Sequence, residues 1–229
     1  MESFAKAVGE NTAILPLLNG MRHLDLLAER FGPASVLGGQ CVISATLSDD
    51  GAIVHLNDVH ALSFGELDGS RSKRIEAIAS ELVGASGFEA LLSDQIRQEM
   101  WEKWVFIASA AGITSLMRSS VGAYVAAGAA DLAVELLQEC AGIAAEQGFP
   151  PRGPAIERAR AVLSAAGSPL KASMLRDIEG GKPVEGEQIL GDLLRRAAKP
   201  EDRPLLRIAT LHVRAYEAGQ AAGGKAAER

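Results

Sequence analysis

Lys103 has the clearest potential for acid–base chemistry in this sequence. Helical spacing places it within about 60° of Ile96, Met100 and Ile107, which form an apolar stripe. Burial lowers the pKa of an ammonium group, so a partly buried lysine can donate or accept a proton near neutral pH. The alternative is a lysine whose head group reaches solvent and pairs with Glu99, one turn earlier.

Two predicted helix starts carry polar side chains that could hold a substrate. Glu185 and Glu187 follow Pro183 in a first helical turn. A carboxylate there either points into a cleft or only favours the helix dipole. Ser173 shares a helix face with Asp177, and its hydroxyl either contacts a ligand, caps the helix or is solvated.

Asn19 and Gly20 end an apolar run that reads as a strand. Open α/β sheets bind ligands at the carboxyl ends of their strands, so Asn19 is a candidate ligand contact. The alternative is an ordinary turn, for which this dipeptide is well suited.

Several common site motifs are missing. The sequence has 24 glycines, yet no two are separated by a single residue, so it contains no G-x-G-x-x-G turn for a dinucleotide pyrophosphate. It contains no G-x-S-x-G elbow of a serine hydrolase either. The four histidines and two cysteines lack metal-ligand spacing, so we expect no metal site.

The composition is that of an ordinary globular protein. Of 229 residues, 48% are hydrophobic and 23% are charged, and the net charge is −6. An acidic chain is unsuited to coating nucleic acid, and the isolated Cys41 and Cys140 favour a reducing compartment. The start lacks the order of a signal peptide, and the uncharged stretch at 104–117 is too short to span a bilayer. We therefore expect a cytoplasmic protein without nucleic-acid or membrane partners.

The predicted elements change character along the chain. The first part mixes strands at 12–18, 35–37, 41–47, 52–56 and 61–64 with helices at 21–31 and 70–83. Asp49-Asp50-Gly51 predicts a hairpin turn. From about Leu92 only helical patterns remain, at 93–118, 122–146, 153–166, 169–179, 183–197 and 201–219. We predict an α/β domain at 1–91, a helical domain at 92–220 and a flexible tail at 221–229.

Four ordered blocks resemble the ketopantoate reductase (2-dehydropantoate 2-reductase) family. They are Leu15-Pro16-Leu17-Leu18-Asn19-Gly20 with Val36-Leu37-Gly38-Gly39, Leu92-Ser93-Asp94-Gln95-Ile96-Arg97 with Trp101-Glu102-Lys103-Trp104, Ile113-Thr114-Ser115-Leu116-Met117-Arg118 with Val121-Gly122, and Ser173-Met174-Leu175-Arg176-Asp177 with Gly181-Lys182-Pro183-Val184-Glu185. The resemblance implies a partial Rossmann-type α/β domain. It also implies a following all-α domain like the C-terminal domain of 6-phosphogluconate dehydrogenase.

The resemblance also implies a reaction and roles for five residues. Family members pass a hydride from NADPH to the ketone of a 2-oxo acid, giving a 2-hydroxy acid, as in pantothenate biosynthesis. By resemblance, Lys103 protonates the developing alkoxide, and Glu185 lies near the lysine, the substrate hydroxyl and the cofactor. Ser173 binds the substrate carboxylate, Asn19 lies beside nicotinamide and substrate, and Ala45 contacts the cofactor through its backbone. A homodimer is expected as well.

The sequence departs from the family in two respects. The family has asparagines one and two turns after the lysine and three residues before the serine, where this chain has Ile107, Ala111 and Leu170. It also lacks the family's opening strand and glycine-rich turn, so it resembles an N-terminally truncated member with weak or no NADPH binding. Two hypotheses follow: an impaired NADPH-dependent reductase of a 2-oxo acid, or a non-catalytic remnant that dimerises or binds a small acid.

Overall fold

The computed structural model of the protein describes residues 1–48 and 50–227, with side chains except those of 57 and 223–227. The chain forms two compact units that divide between Met100 and Trp101. No helix in these described ranges is long and apolar enough to cross a membrane. The first unit mixes strands and helices, and the second is helical.

The first unit contains a three-stranded sheet within its described residues. Its strands are β1 (Leu37–Leu47), β2 (Ile53–Glu66) and β3 (Glu89–Leu92), in that spatial order. β2 pairs antiparallel with β1 and parallel with β3. Ahead of β1, Ile14 forms one parallel bridge with Val36.

The β1–β2 hairpin is longer than the sequence predicts. The predicted strands at 52–56 and 61–64 are one strand, because an irregularity between Ile43 and Ala45 shifts the register without ending the pairing. The strand predicted at 12–18 contains only a single β-bridge, at Ile14. The strand β3 was not predicted, because it is only four residues long. At the predicted turn, the Ser48 N–H bonds to the Ala52 oxygen at 2.9 Å, while Asp49 lies outside the described residues.

Three helices accompany the sheet: α1 (Glu2–Ala5), α2 (Arg22–Phe31) and α3 (Lys73–Leu82). The α3 helix begins at the Ser72 cap, whose Oγ accepts a hydrogen bond of 3.2 Å from the Ile75 N–H. The buried core joins β1 and β2 to α3 through Leu37, Leu62, Phe64, Ile75 and Ala79.

The helices from residue 96 onward are α4 (Ile96–Met117), α5 (Val121–Ala126), α6 (Ala130–Glu146), α7 (Gly153–Leu163), α8 (Ser173–Glu179), α9 (Asp192–Arg196) and α10 (Pro204–Ala227). From Trp104 to Ser115 most side chains of α4 are buried, because this stretch is apolar on all sides.

Three helical predictions need correction. The single helix predicted at 122–146 is interrupted before Gly128, whose φ of +89° leaves the helical region, so α5 and α6 are separate. The helix predicted at 183–197 begins with a π-helical turn at Glu187–Gly191. The α10 helix begins at Pro204 and its backbone is helical to Ala227, so it extends past the helix predicted at 201–219. The flexible tail predicted at 221–229 stays a prediction.

Candidate functional site

Lys103 lies half-buried on α4, at the edge of the predicted apolar stripe. The next residue, Trp104, is 1% exposed, and one and two turns further along are the half-buried Ile107 and the 3% exposed Ala111. No other charged residue occurs from residue 104 to 117. Lys103 is therefore followed on α4 only by uncharged, largely apolar residues.

Trp104 connects α4 to the segment that follows Glu185 through a buried hydrogen bond. Its indole N–H donates a hydrogen bond of 2.9 Å to the carbonyl oxygen of Ile189, inside the π-helical turn. Arg196, at the end of α9, lies over the same indole ring at 5.4 Å. These contacts fix the backbone just after Glu185 against the helix that carries Lys103.

Glu185 is exposed and directly precedes this helical region. Its carbonyl oxygen accepts a hydrogen bond of 2.9 Å from the Ile189 N–H. Two residues on, the Glu187 carbonyl accepts from the Asp192 N–H, an i to i+5 bond that defines the π-helical turn. Such turns are frequent at functional sites because they change the direction of neighbouring side chains.

The Glu187 carboxylate forms ion pairs with two arginines, Arg195 and Arg214. Its carboxylate accepts a hydrogen bond from Arg214 and one of 2.7 Å from Arg195. These guanidinium groups, Arg214 first, lower the pKa of Glu187 to about 2. Gly191 leaves the space for it, since a Cβ there would lie 2.5 Å from Oε2 of Glu187. Of the two predicted glutamates, Glu187 therefore joins α9 to α10, and Glu185 is the exposed one.

Ser173 is the exposed first residue of α8, and Ala172 rather than Ser173 occupies the cap position. The loop before it is anchored to α5. The Val121 N–H donates to the Leu170 oxygen at 2.9 Å, and the Gly122 N–H donates to the Ser168 oxygen at 2.8 Å. Ser173 thus starts a helix whose preceding loop has a fixed course.

Asn19 and Ala45 belong to the first unit. Asn19 is half-buried just before Gly20, whose φ of +77° makes the turn into α2. Ala45 is exposed on β1, opposite His55 and beside the register irregularity. The structure thus places Lys103, Ser173 and Glu185 in the second unit and Asn19 and Ala45 in the first. The three predicted cofactor contacts, Asn19, Ala45 and Glu185, are therefore divided between the two units.

An ion pair between the buried Glu66 and the partly exposed Arg74 in the first unit was not predicted. Glu66 is 7% exposed, and both its oxygens accept hydrogen bonds from Arg74, at 2.7 and 2.6 Å, with Ser72 as a further donor. The Arg74 guanidinium, followed by Ser72, lowers the pKa of Glu66. This pair borders a cavity of about 480 Å³ at the end of β2. In the sequence, the signal for this ion pair is a glutamate at the end of a strand, followed by an arginine eight residues later.

The site residues described above form no binding site for the pyrophosphate of the dinucleotide that the resemblance implies. The adjacent Gly38 and Gly39 lie inside β1, where added Cβ atoms would lie 2.6 Å from Ile96 and 2.5 Å from Leu15, so protein atoms already fill that space. Gly65 and Gly69 lie at the end of β2, where added Cβ atoms would lie 2.1 Å from the Ser93 oxygen and 2.4 Å from the Asp94 oxygen, so that space is filled as well. Asn19 could contact a nicotinamide, but the glycines of the described residues 1–48 and 50–100 form no cradle for the phosphates.

Comparison with known families gives two matches. The family model described as "Ketopantoate reductase PanE/ApbA C terminal" matches residues 95–217, and "Ketopantoate reductase PanE/ApbA" matches residues 1–69. An uncharacterized oxidoreductase, YkpB, of Bacillus subtilis is 32% identical over 95% of this chain and 72% of its own length. A 2-dehydropantoate 2-reductase of Mesorhizobium japonicum is 32% identical over 87% of this chain and 68% of its own length.

Solved structures share the fold. The 2-dehydropantoate 2-reductase of Methylococcus capsulatus superposes with a TM-score of 0.81 at 25% identity, over 95% of this chain and 69% of the other. A D-mandelate dehydrogenase solved with NADH and anilino(oxo)acetate gives 0.80 at 20% identity, over 96% and 72%. A dimeric ketopantoate reductase from Staphylococcus aureus gives 0.76 at 24% identity, over 93% and 71%. The predicted fold class, a Rossmann-like α/β part followed by a helical part, is confirmed.

Proposed function

This chain belongs to the ketopantoate reductase family, and we propose that it acts on a 2-oxo acid as an NADPH-dependent reductase, with Lys103 as the proton donor. One observation carries the assignment of the proton donor. Lys103 is half-buried and carries the last cation before Arg118, on a helix whose following residues are largely buried and apolar. A cation at the edge of a dry surface polarises a carbonyl more strongly than one in water.

The residues of this chain would act on the carbonyl and carboxylate of the substrate. The Lys103 ammonium donates a hydrogen bond to the carbonyl oxygen and then its proton to the alkoxide that develops there. The Ser173 hydroxyl, exposed at the start of α8, donates to the substrate carboxylate. The Glu185 carboxylate accepts a hydrogen bond from the hydroxyl group that forms when the ketone is reduced. Trp104 and Ile189 position the elements that carry Lys103 and Glu185.

We propose a substrate less polar than ketopantoate. Ile107 and Ala111 follow Lys103 on α4, and Leu170 precedes Ser173. An apolar side chain on a 2-oxo acid can contact the half-buried Ile107 and Leu170, whereas a hydroxylated one would lose hydrogen bonds to water without replacement.

A product assay tests this function. The chain is incubated with NADPH and 2-oxo acids of increasing apolar character (ketopantoate, 2-oxoisovalerate, phenylglyoxylate), and the 2-hydroxy acids are separated and quantified. We expect slow turnover, highest with the apolar substrates, and a loss of at least about 100-fold in Lys103→Ala. Lys199→Ala, at an exposed position, serves as the control and should retain turnover. Equal turnover in Lys103→Ala would contradict the role of Lys103.

The second candidate function is a non-catalytic module that binds a small acid or dimerises. The absence of a pyrophosphate cradle favours it, because NADPH would then bind weakly or not at all. Calorimetric titration of the chain with NADPH distinguishes the two. Low-micromolar affinity would contradict our expectation of weak binding, and absence of every 2-hydroxy acid product would support the non-catalytic candidate.

We propose that the chain is a homodimer in the cytoplasm. The outer part of the β1–β2 hairpin supports self-association, because its apolar side chains are exposed: Val42 49%, Ile43 45%, Leu47 62%, Ile53 81% and Val59 51%. Sedimentation velocity over a concentration series tests this proposal. A strict monomer at all concentrations would contradict it.

A further inference from the structure

A second cavity lies in the helical unit, between the segment that leads to Glu185 and the helix α10. Its volume is about 270 Å³. Its lining residues come from two stretches: Gly181, Pro183, Val184, Tyr216, Glu217 and Gln220. Neither the proposed reduction nor the resemblance assigns a role to this cavity.

Glu217 is the charged group of the cavity, and its charge is poorly compensated. The side chain is half-buried, and no described residue donates a hydrogen bond to its carboxylate or forms an ion pair with it. Arg214, whose positive charge acts on Glu217 and lowers its pKa, is itself hydrogen-bonded to Glu187. Burial, followed by the negative charge of Glu187, raises the pKa of Glu217.

The carboxylate is held in place by close packing. A Cβ on Gly186 would lie 3.3 Å from Oε1 of Glu217 and 2.4 Å from Cγ1 of Val213, so glycine is what lets α10 approach this segment. The Glu217 carboxylate thus lies near Gly186, next to the Gly181–Val184 stretch that lines the cavity.

The other walls suit a small organic cation. The Tyr216 hydroxyl donates a hydrogen bond of 2.8 Å to the Lys182 oxygen, which fixes its ring as one wall. An aromatic face attracts a cation. Pro183 and Val184 offer apolar contact for a short alkyl chain, and the Gln220 amide can accept an N–H.

We propose that this cavity binds a small primary alkylammonium, with the ammonium group donating hydrogen bonds to Glu217 and Gln220 and the alkyl chain against Pro183 and Val184. An anionic ligand would be repelled by Glu217 and Glu187. A neutral alcohol would leave the carboxylate uncompensated. The proposal is independent of the reductase activity, because it uses neither Lys103 nor Glu185.

The experiment is a titration of the full chain, followed by amide NMR shifts and calorimetry at about 0.15 M salt, where long-range charge effects are screened. The probes are n-butylammonium, 1-butanol and butyrate, which have similar alkyl chains and different head groups. We expect saturable, millimolar binding of n-butylammonium alone, with shifts at Gly181 and Gly186. Absence of saturation, or equal binding of 1-butanol, would overturn the proposal.

Three variants test the role of the carboxylate. Glu217→Gln should weaken n-butylammonium binding by at least about tenfold, which corresponds to about 1.4 kcal/mol. Glu135→Gln, at an exposed position on α6, should bind like the wild type. Gln220→Lys brings a competing ammonium to the cavity and should also abolish binding. Wild-type affinity in either Glu217→Gln or Gln220→Lys, each checked for native circular dichroism, would refute the site.

Discussion

The indole N–H of Trp104 donates a hydrogen bond of 2.9 Å to the carbonyl oxygen of Ile189, 85 residues later in the chain. Ile189 lies in the π-helical turn, where the ladder of backbone hydrogen bonds shifts by one residue. The indole supplies a donor to a carbonyl in that turn. One buried hydrogen bond thus joins the helix of Lys103 to the turn that follows Glu185.

Removing this donor should destabilise the second unit. Trp104→Phe leaves the Ile189 carbonyl without the indole, and a buried polar group that loses its partner costs about 1–3 kcal/mol. The matched control is Trp101→Phe, which removes the same ring atoms from a side chain that is 3% exposed and stacks on Phe149. In urea unfolding followed by circular dichroism, we expect Trp104→Phe to lose more stability. Equal losses of stability in the two variants would show that only the lost ring volume matters, and not the hydrogen bond.

Adding a methyl group at Gly122 should displace the loop that precedes Ser173. Its Cβ would lie 2.6 Å from the backbone of Gly167 and Ser168, which cannot move aside as a side chain can. We expect Gly122→Ala to lower the free energy of unfolding by about 1–3 kcal/mol or more. Gly219→Ala, in α10 with no atom within 4 Å, should instead raise it by about 0.5–1 kcal/mol. Thermal unfolding of both variants gives the comparison.

Glu187 should make the helical unit sensitive to acid. Its two arginines lower its pKa from 4.5 to about 2, so the ionised carboxylate stabilises the folded state in full above pH 4.5. That stabilisation is lost as the pH falls from 4.5 towards 2. We expect the stability difference between wild type and Glu187→Gln to shrink across this interval. Urea unfolding at several pH values measures it, and a constant difference would contradict the prediction.

The two cysteines should differ in reactivity. Cys140 is fully buried, and burial raises the pKa of its thiol to about 12, so it carries almost no thiolate. Cys41 is half-exposed on β1. With Ellman's reagent we expect one thiol to react in the native chain, two in urea, and none in native Cys41→Ser. Rapid reaction of both native thiols would contradict the burial of Cys140.

Local patterns predicted the elements with long, regular spacing and missed those decided by tertiary contacts. The α2 and α4 helices lie within a few residues of their predicted bounds, because apolar periodicity and the Gly32-Pro33 stop are local signals. The π-helical turn accepts a hydrogen bond from Trp104, which lies 85 residues before Ile189, and no pattern near Glu187 indicates it. Likewise, the pairing of Glu187 depends on Arg214, which lies in another helix.

The loop between α7 and α8 has no regular structure, yet α5 bonds to it at two points and to the last residue of α7 at a third. The Tyr124 hydroxyl donates to the Leu163 oxygen at 2.6 Å, and the N–H groups of Gly122 and Val121 bind the oxygens of Ser168 and Leu170. Surface loops usually tolerate insertions, because their ends alone are fixed. Here an added residue would move Leu170 or Ser173 away from its anchored register. This loop should therefore keep its length in functional variants of the chain, even where its residue types change.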